Sequence, residues 1–171
     1  MKNYIIDPAS SHVIPLTLSV MATEGDVIEL GCGFCSTPLL YSLLYPTGRK
    51  LFTIETKREW LDRILSQDPY YQHNFHIKTL VPDMVEAVKE IKGDCGVALI
   101  DCWDTESYNI RKKCAYVLRE IADVLVIHDT EVDGFLEDKE WNDFAKDFRY
   151  KETFDRITPW TTVLSDKIDI H

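Results

Sequence analysis

The sequence predicts a doubly wound α/β domain: a mostly parallel sheet with helices on both faces and an antiparallel strand at the C-terminal edge. Three observations predict it. Short apolar runs alternate with segments of helical period along the chain. A glycine turn, Gly31-Cys32-Gly33, follows the first run and leads into a helix start. Four runs end in acids or a histidine, Glu29, Glu55, Asp101 and His128-Asp129, where open α/β sheets keep their ligand crevice.

Met1 to Ser11 reads as a polar lead-in. His12 to Met21 predicts a helix capped by Ser10 or Ser11, with Pro15 tolerated in its first turn. Residues 1–24 are expected to lay this helix over the site, residues 25–166 to form the core, and 1–171 to make one domain. Val27 to Leu30 is the first strand. Thr37 is placed as cap of the next helix and Pro38 at its first position, where no N–H is needed. That helix puts Leu39, Leu40, Leu43 and Leu44 on one face, and Pro46-Thr47-Gly48 ends it. Leu51 to Ile54 is the second strand, closed by Glu55. The following helix buries Trp60, Leu61, Ile64 and Leu65.

Ser66 to Asn74 reads as a loop carrying Tyr70-Tyr71. Phe75 to Leu80 is a shorter strand, and Asp83 to Ile91 a helix. Gly96 to Ile100 and Val124 to Ile127 are continuous apolar runs, so central parallel strands. Ser107 to Ala122 is the helix between them. The acidic stretch from Glu131 to Asp138 reads as a solvated loop that could cover a substrate. Asp138 to Phe148 is a helix with Trp141, Phe144, Ala145 and Phe148 inward. Tyr150 to Phe154 and Thr161 to Leu164 follow, and their short link favours an antiparallel pair.

The totals exclude several classes. A net charge of −10 argues against a protein that holds nucleic acid through phosphate contacts. No stretch approaches the roughly 20 apolar residues of a membrane span, and no signal core opens the chain. Five cysteines, an odd number in apolar settings, predict reduced thiols and a cytoplasmic location. The oligomeric state is not legible.

The run from Glu29 to Gly33 and the acids that follow it resemble class I S-adenosylmethionine-dependent methyltransferases. The likeness covers about Asp26 to Asp166 and implies a Rossmann-like methyltransferase fold. It implies a cofactor site built from His12, Glu29, Gly31, Cys32, Gly33, Ser36 and Thr37 around the turn. Glu55 with Thr56 would take the ribose hydroxyls, Asp83 with Met84 the adenine, and Asp101 the methionine end. The chain departs from the pattern at Cys35-Ser36, where many members have a further glycine. A narrower likeness is to small methyltransferase-like proteins with a Ser-Thr-His type of lead-in, here Ser10-Ser11-His12. They also share Glu29 to Pro38 and Val126 to Glu131, and the likeness implies no particular substrate.

Residue chemistry points the same way. A ribose diol offers two donors, and a strand-end carboxylate accepts both. Glu55 follows Gly33 by 22 residues, a spacing that dinucleotide enzymes share. Glu29 is expected to separate the two ligands, because it suits a sulfonium and an ammonium and repels a pyrophosphate.

Asp101 to Asp104 also resembles the metal turn of catechol-type O-methyltransferases. That likeness implies Mg2+ on Asp101 and Asp129, although Thr130 replaces the amide ligand and no lysine occupies 102–104. Equally, Asp129 caps the next segment and Asp101 holds the methionine ammonium.

Asp101 and His128 are the candidate bases. His12 is a third imidazole at the start of the covering helix, whereas His73 and His76 read as structural. Cys32-x-x-Cys35 reads as small residues lining the turn rather than a redox pair, and a zinc site lacks a second close cysteine pair. The expected function is methyl transfer to a small-molecule or peptide-borne O or N acceptor. The alternatives are a non-catalytic binder of S-adenosylmethionine or S-adenosylhomocysteine, and a nicotinamide-dependent oxidoreductase.

Overall fold

β1 (Val27–Leu30) lies between β2 and β4 in a seven-stranded sheet. In this computed structural model, residues 10–66, 75–102 and 107–170 are described. α1 (Val13–Ala22) precedes β1, and α2 (Ser36–Leu44), β2 (Leu51–Glu55), α3 (Arg58–Leu65) and β3 (His76–Leu80) follow it. Next come α4 (Met84–Lys89), β4 (Cys95–Ile100), α5 (Ser107–Leu118), β5 (Ala122–His128), α6 (Asp133–Leu136) and α7 (Lys139–Lys146). β6 (Tyr150–Phe154) and β7 (Thr161–Ser165) close the chain. The sheet order is β3-β2-β1-β4-β5-β7-β6. β1 to β5 pair in parallel; β7 runs antiparallel between β5 and β6.

The central strands are apolar on both faces because helices cover both. Ala98, Ile100, Leu125 and Ile127 pack into one core layer. Their neighbours Val97, Leu99, Val124 and Val126 pack into the other. A fully buried aliphatic side chain of this kind stabilises the fold by roughly 1.5–3 kcal/mol. The chain leaves β1 toward β2 on one side and reaches β4 on the other. The order reverses there, so the strand ends part and leave a crevice.

Several boundaries differ from expectation. α1 starts at Val13 with His12 as N-cap and no side-chain cap, because the Ser11 hydroxyl goes to His128 instead. α2 starts at Ser36, and Thr37 is inside it rather than capping it. Pro38 is then the third helical residue, still within the turn whose N–H groups lack intrahelical partners. α5 stops at Leu118, and β5 starts at Ala122. The acidic stretch holds a one-turn helix, α6, because Phe135 is buried edge-on against Trp141 at 4.8 Å. Residues 67–74, with Tyr70, Tyr71 and His73, and the Trp103-Asp104 turn lie outside the described residues. Among the described residues no helix is long and apolar enough to cross a membrane.

Candidate functional site

The site is built on the Gly31-Cys32-Gly33 turn at the carboxyl end of β1. Gly31 has φ +84°, and a Cβ there would sit 2.5 Å from the Asp101 carbonyl oxygen and 2.8 Å from Cys102 Cα. The turn therefore packs directly on the end of β4. Its amides are already used. Gly31 N–H donates to the Ile54 carbonyl at 2.9 Å, Cys32 N–H to Glu55 Oε2 at 3.2 Å, and Gly33 N–H to Thr37 Oγ1 at 3.0 Å. A phosphate-binding loop needs such donors free.

Glu29 sits beneath this turn with none of its surface exposed. Oε1 accepts from Ser36 Oγ at 2.7 Å and Thr37 Oγ1 at 2.9 Å, and Oε2 from Thr53 Oγ1 at 2.7 Å. Thr53 continues the chain to His76 Nε2 at 2.8 Å. Glu29, Ser36 and Thr37 thus form a buckle under the turn and do not line the cavity above it. Any selection against pyrophosphate by Glu29 is indirect: it holds Thr37, which occupies the Gly33 amide.

Burial raises the Glu29 carboxyl to about 7, against the opposing pull of hydrogen bonds from Ser36, Thr53 and Thr37. The native state then binds this proton more tightly than the unfolded chain. The associated stability is full below about pH 4.5 and is lost as pH rises through about 7, by roughly 3 kcal/mol in all. His12 and His76, both pushed down to about 4 by burial, act oppositely between about pH 4 and 6.5. We expect unfolding free energies of wild type minus Glu29→Gln to fall between pH 5 and 8. A flat difference in urea titrations would refute the buried-carboxyl account.

Above the turn lies a cavity of about 450 Å³. Gly31 to Cys35, Glu55, Lys57 and Trp60 line one side, and His12, Asp101, His128 and Asp129 the other. A second cavity of about 400 Å³ is lined by Thr56, Asp83, Met84, Cys102 and Ile110, among others. The two meet where Glu55 is followed by Thr56 and Asp101 by Cys102. Together they run along the carboxyl ends of β2, β1 and β4. Glu55 Oε1 accepts from the Thr56 and Lys57 amides at 2.7 and 2.9 Å. Asp83 caps α4 by accepting from Glu86 N–H. Phe34 and Trp60 meet edge-on at 5.1 Å, with the Arg63 guanidinium over both.

At the far end of the first cavity, His128 Nδ1 lies 3.2 Å from Asp101 Oδ1 and 3.3 Å from Asp129 Oδ1. Its Nε2 lies 3.0 Å from Ser11 Oγ. Burial alone would lower the His128 pKa, but the hydrogen bond to Asp101 and the charges of Asp101 and Asp129 hold it above the ordinary value. Asp101 is held below the usual carboxylate range: burial opposes this, but His128 and Arg111 outweigh it. This is the Ser-His-Asp order of a nucleophilic triad, yet Ser11 is buried and does not line the cavity. His12 packs edge-on against His128 at 4.8 Å between centroids.

The expected Asp101–Asp129 metal pair needs correction. Arg111, 1% exposed, puts Nη1 2.7 Å from Asp129 Oδ2 and Nη2 3.3 Å from Asp101 Oδ1. Its Nε and Nη1 also donate to the Cys102 and His128 carbonyls, at 2.9 and 2.7 Å. A fixed guanidinium bridges the carboxylates where Mg2+ was expected. Asp129 reaches Arg111 from a left-handed backbone, φ 58°.

The structure thus brings Gly31, Cys32, Gly33, Glu55, Asp101, His128 and His12 to one cavity and Thr56, Asp83 and Met84 to its neighbour. Burial pushes the Cys32 thiol far up, the reverse of a reactive cysteine. Sequence reasoning missed Arg111. Its signal was present: Cys114, Ala115 and Leu118, at i+3, i+4 and i+7 from it, are core residues. A charge on that stripe needs buried partners.

No protein-family model matches the chain, and no curated protein matches it. Solved structures do. WbdD is 9% identical, with a TM-score of 0.63 over 91% of this chain, and the chain spans 40% of the length of WbdD. A candidate rRNA-methylase from Clostridium thermocellum is 17% identical, with a TM-score of 0.64 over 95% of this chain and 99% of its own. Magnesium protoporphyrin IX methyltransferase from Synechocystis, determined with bound S-adenosylmethionine, is 13% identical. Its TM-score is 0.55 over 91% of this chain and 78% of its own. The chain has the Rossmann-like fold of class I methyltransferases.

Proposed function

We propose that this protein binds S-adenosylmethionine and transfers its methyl group to an O or N acceptor carried by a small molecule or peptide. One observation carries the reading: the amides of Gly31, Cys32 and Gly33 are all consumed internally, while Glu55, Asp101 and Asp129 line the cavity above them. Such a wall rejects a diphosphate and suits a ligand that is cationic at sulfur and at its amino group. The neighbours of the same fold include a methyltransferase holding that cofactor.

When bound, the cofactor supplies an electrophilic methyl carbon. The chain's own residues do the rest. Glu55 retains acceptor capacity toward a ribose diol, since Oε2 takes only the Cys32 amide and the weaker thiol contact. Thr56, Asp83 and Met84 line the compartment for adenine. Asp101 faces the methionine end and holds His128, and one of these two accepts the proton that the acceptor loses. Alignment of the acceptor with the methyl carbon is the larger source of rate.

Calorimetric titration should show binding of S-adenosylmethionine and S-adenosylhomocysteine and none of NAD. Glu55→Ala should weaken the cofactor roughly 10- to 100-fold, the worth of one or two hydrogen bonds to a charged group. Unchanged affinity would remove Glu55 from the ribose. Release of S-adenosylhomocysteine with a cell extract as acceptor source tests transfer; tight binding without release would leave a binder.

A further inference from the structure

His12 is 3% exposed, and neither ring nitrogen has a hydrogen-bond partner among the described residues. Both are buried polar atoms, and leaving them unmatched is costly. The ring lines the first cavity and points at the end where Asp101 and His128 meet. One ligand atom from each of His12, Asp101 and His128 lies within 4.8 Å of the others. We propose that these three side chains form a site for one first-row divalent transition ion of the zinc class, with an open coordination position facing the cavity.

The distances suit it. Tetrahedral zinc with bonds of about 2.0–2.2 Å keeps neighbouring ligand atoms about 3.3 Å apart. His128 Nδ1 and Asp101 Oδ1 are already 3.2 Å apart. His12, just ahead of α1, closes the set by moving its ring about 1–1.5 Å inward from the 4.8 Å limit. Two imidazoles and one carboxylate favour zinc, cobalt or iron(II) over magnesium, which prefers oxygen.

The outer contacts are those of a metal centre as well. Ser11 Oγ lies 3.0 Å from His128 Nε2; when an ion displaces the proton that Nδ1 shares with Asp101, Ser11 takes the hydrogen on Nε2 and Nδ1 is the coordinating atom. Arg111 Nη2 lies 3.3 Å from the same Asp101 Oδ1 and fixes its orientation. With His12 and His128 neutral, as coordination requires, Asp101 and Asp129 against one guanidinium leave one negative charge for a cation to meet. The open position accepts an oxygen of the second substrate, so the site selects acceptors with a metal-binding oxygen. That selection rests on the methyl-transfer reading; the metal site itself does not.

The test is a titration of chelator-stripped protein with Zn2+ and Mg2+, without S-adenosylmethionine, and with Co2+ followed by visible absorption. One equivalent of Zn2+ should bind, at least about 100-fold more tightly than Mg2+. His12→Gln, which keeps the size of the side chain, should lower Zn2+ affinity on the order of 100-fold; Ser11→Ala should lower it about 10-fold. The wild-type Co2+ protein should show two paramagnetically shifted imidazole N–H signals, a readout that needs no variant. No saturable binding, an unchanged His12→Gln affinity, or fewer than two shifted signals would overturn the proposal. Because the cofactor is absent from the titration, failure here leaves the methyl-transfer reading standing, and failure of cofactor binding leaves the metal result standing.

Discussion

Replacing Arg111 by methionine is expected to destabilise the fold by about 3–5 kcal/mol. The guanidinium makes four hydrogen bonds, to Asp101, Asp129 and the carbonyls of Cys102 and His128. Methionine fills much of the volume but leaves two carboxylates and two carbonyls without this partner. Both carboxylates are largely withdrawn from water, with side-chain exposures of 22% for Asp101 and 17% for Asp129, so the loss falls on the native state. Lysine keeps the charge but lacks the planar fork, and it should recover less than half of the loss. Urea unfolding of the three proteins measures both effects. A methionine variant within about 1 kcal/mol of wild type would mean that the carboxylates are solvated and the buried bridge is wrong.

Gly31→Ala is expected to abolish cofactor binding and to destabilise the protein by about 3 kcal/mol or more. The left-handed backbone alone accounts for roughly 1–2 kcal/mol. The remainder comes from contact: the new Cβ meets the Asp101 carbonyl at 2.5 Å and the Asp101 carbonyl carbon at 2.9 Å, which are backbone atoms that cannot rotate away. Relief requires the turn and the end of β4 to separate, and the first cavity is formed between them. Gly48→Ala is the control. It has a similar φ of +77° with no described atom within 4 Å of the added carbon, so it should lose only the backbone amount. Equal melting temperatures for the two variants would show that the close approach is not maintained in solution.

Much of the framework was legible because it is local. Apolar runs such as Gly96 to Ile100 and Val124 to Ile127 can only be strands covered on both faces, and that fixes the parallel centre. The strand-end positions of Glu29, Glu55, Asp101 and Asp129 follow from where those runs stop. Side-chain direction does not follow. Glu29 and Glu55 read alike as strand-end acids, yet one points down into three hydroxyls and the other reaches the cavity wall. Ser11 read as a cap because caps are local, and it was drawn off by His128, 117 positions away. Arg111 escaped for the same reason: its partners come from β4 and β5, and no short window contains them. Thr37 shows a milder case. Its hydroxyl does serve the turn, but from inside the helix and toward Gly33 rather than from the cap.

The division of the crevice at Glu55-Thr56 has a consequence for discrimination. In the proposed binding mode a free purine base would occupy only the compartment of Asp83 and Met84, and a free amino acid only that of Asp101 and His12. Each fragment alone gives up the contacts of the other half and bears the full entropy of immobilisation. A nucleoside with its tail attached brings the second half along at high local concentration, with the sugar as tether. Adenine and methionine added together should therefore compete poorly with the intact conjugate, however abundant they are in solution.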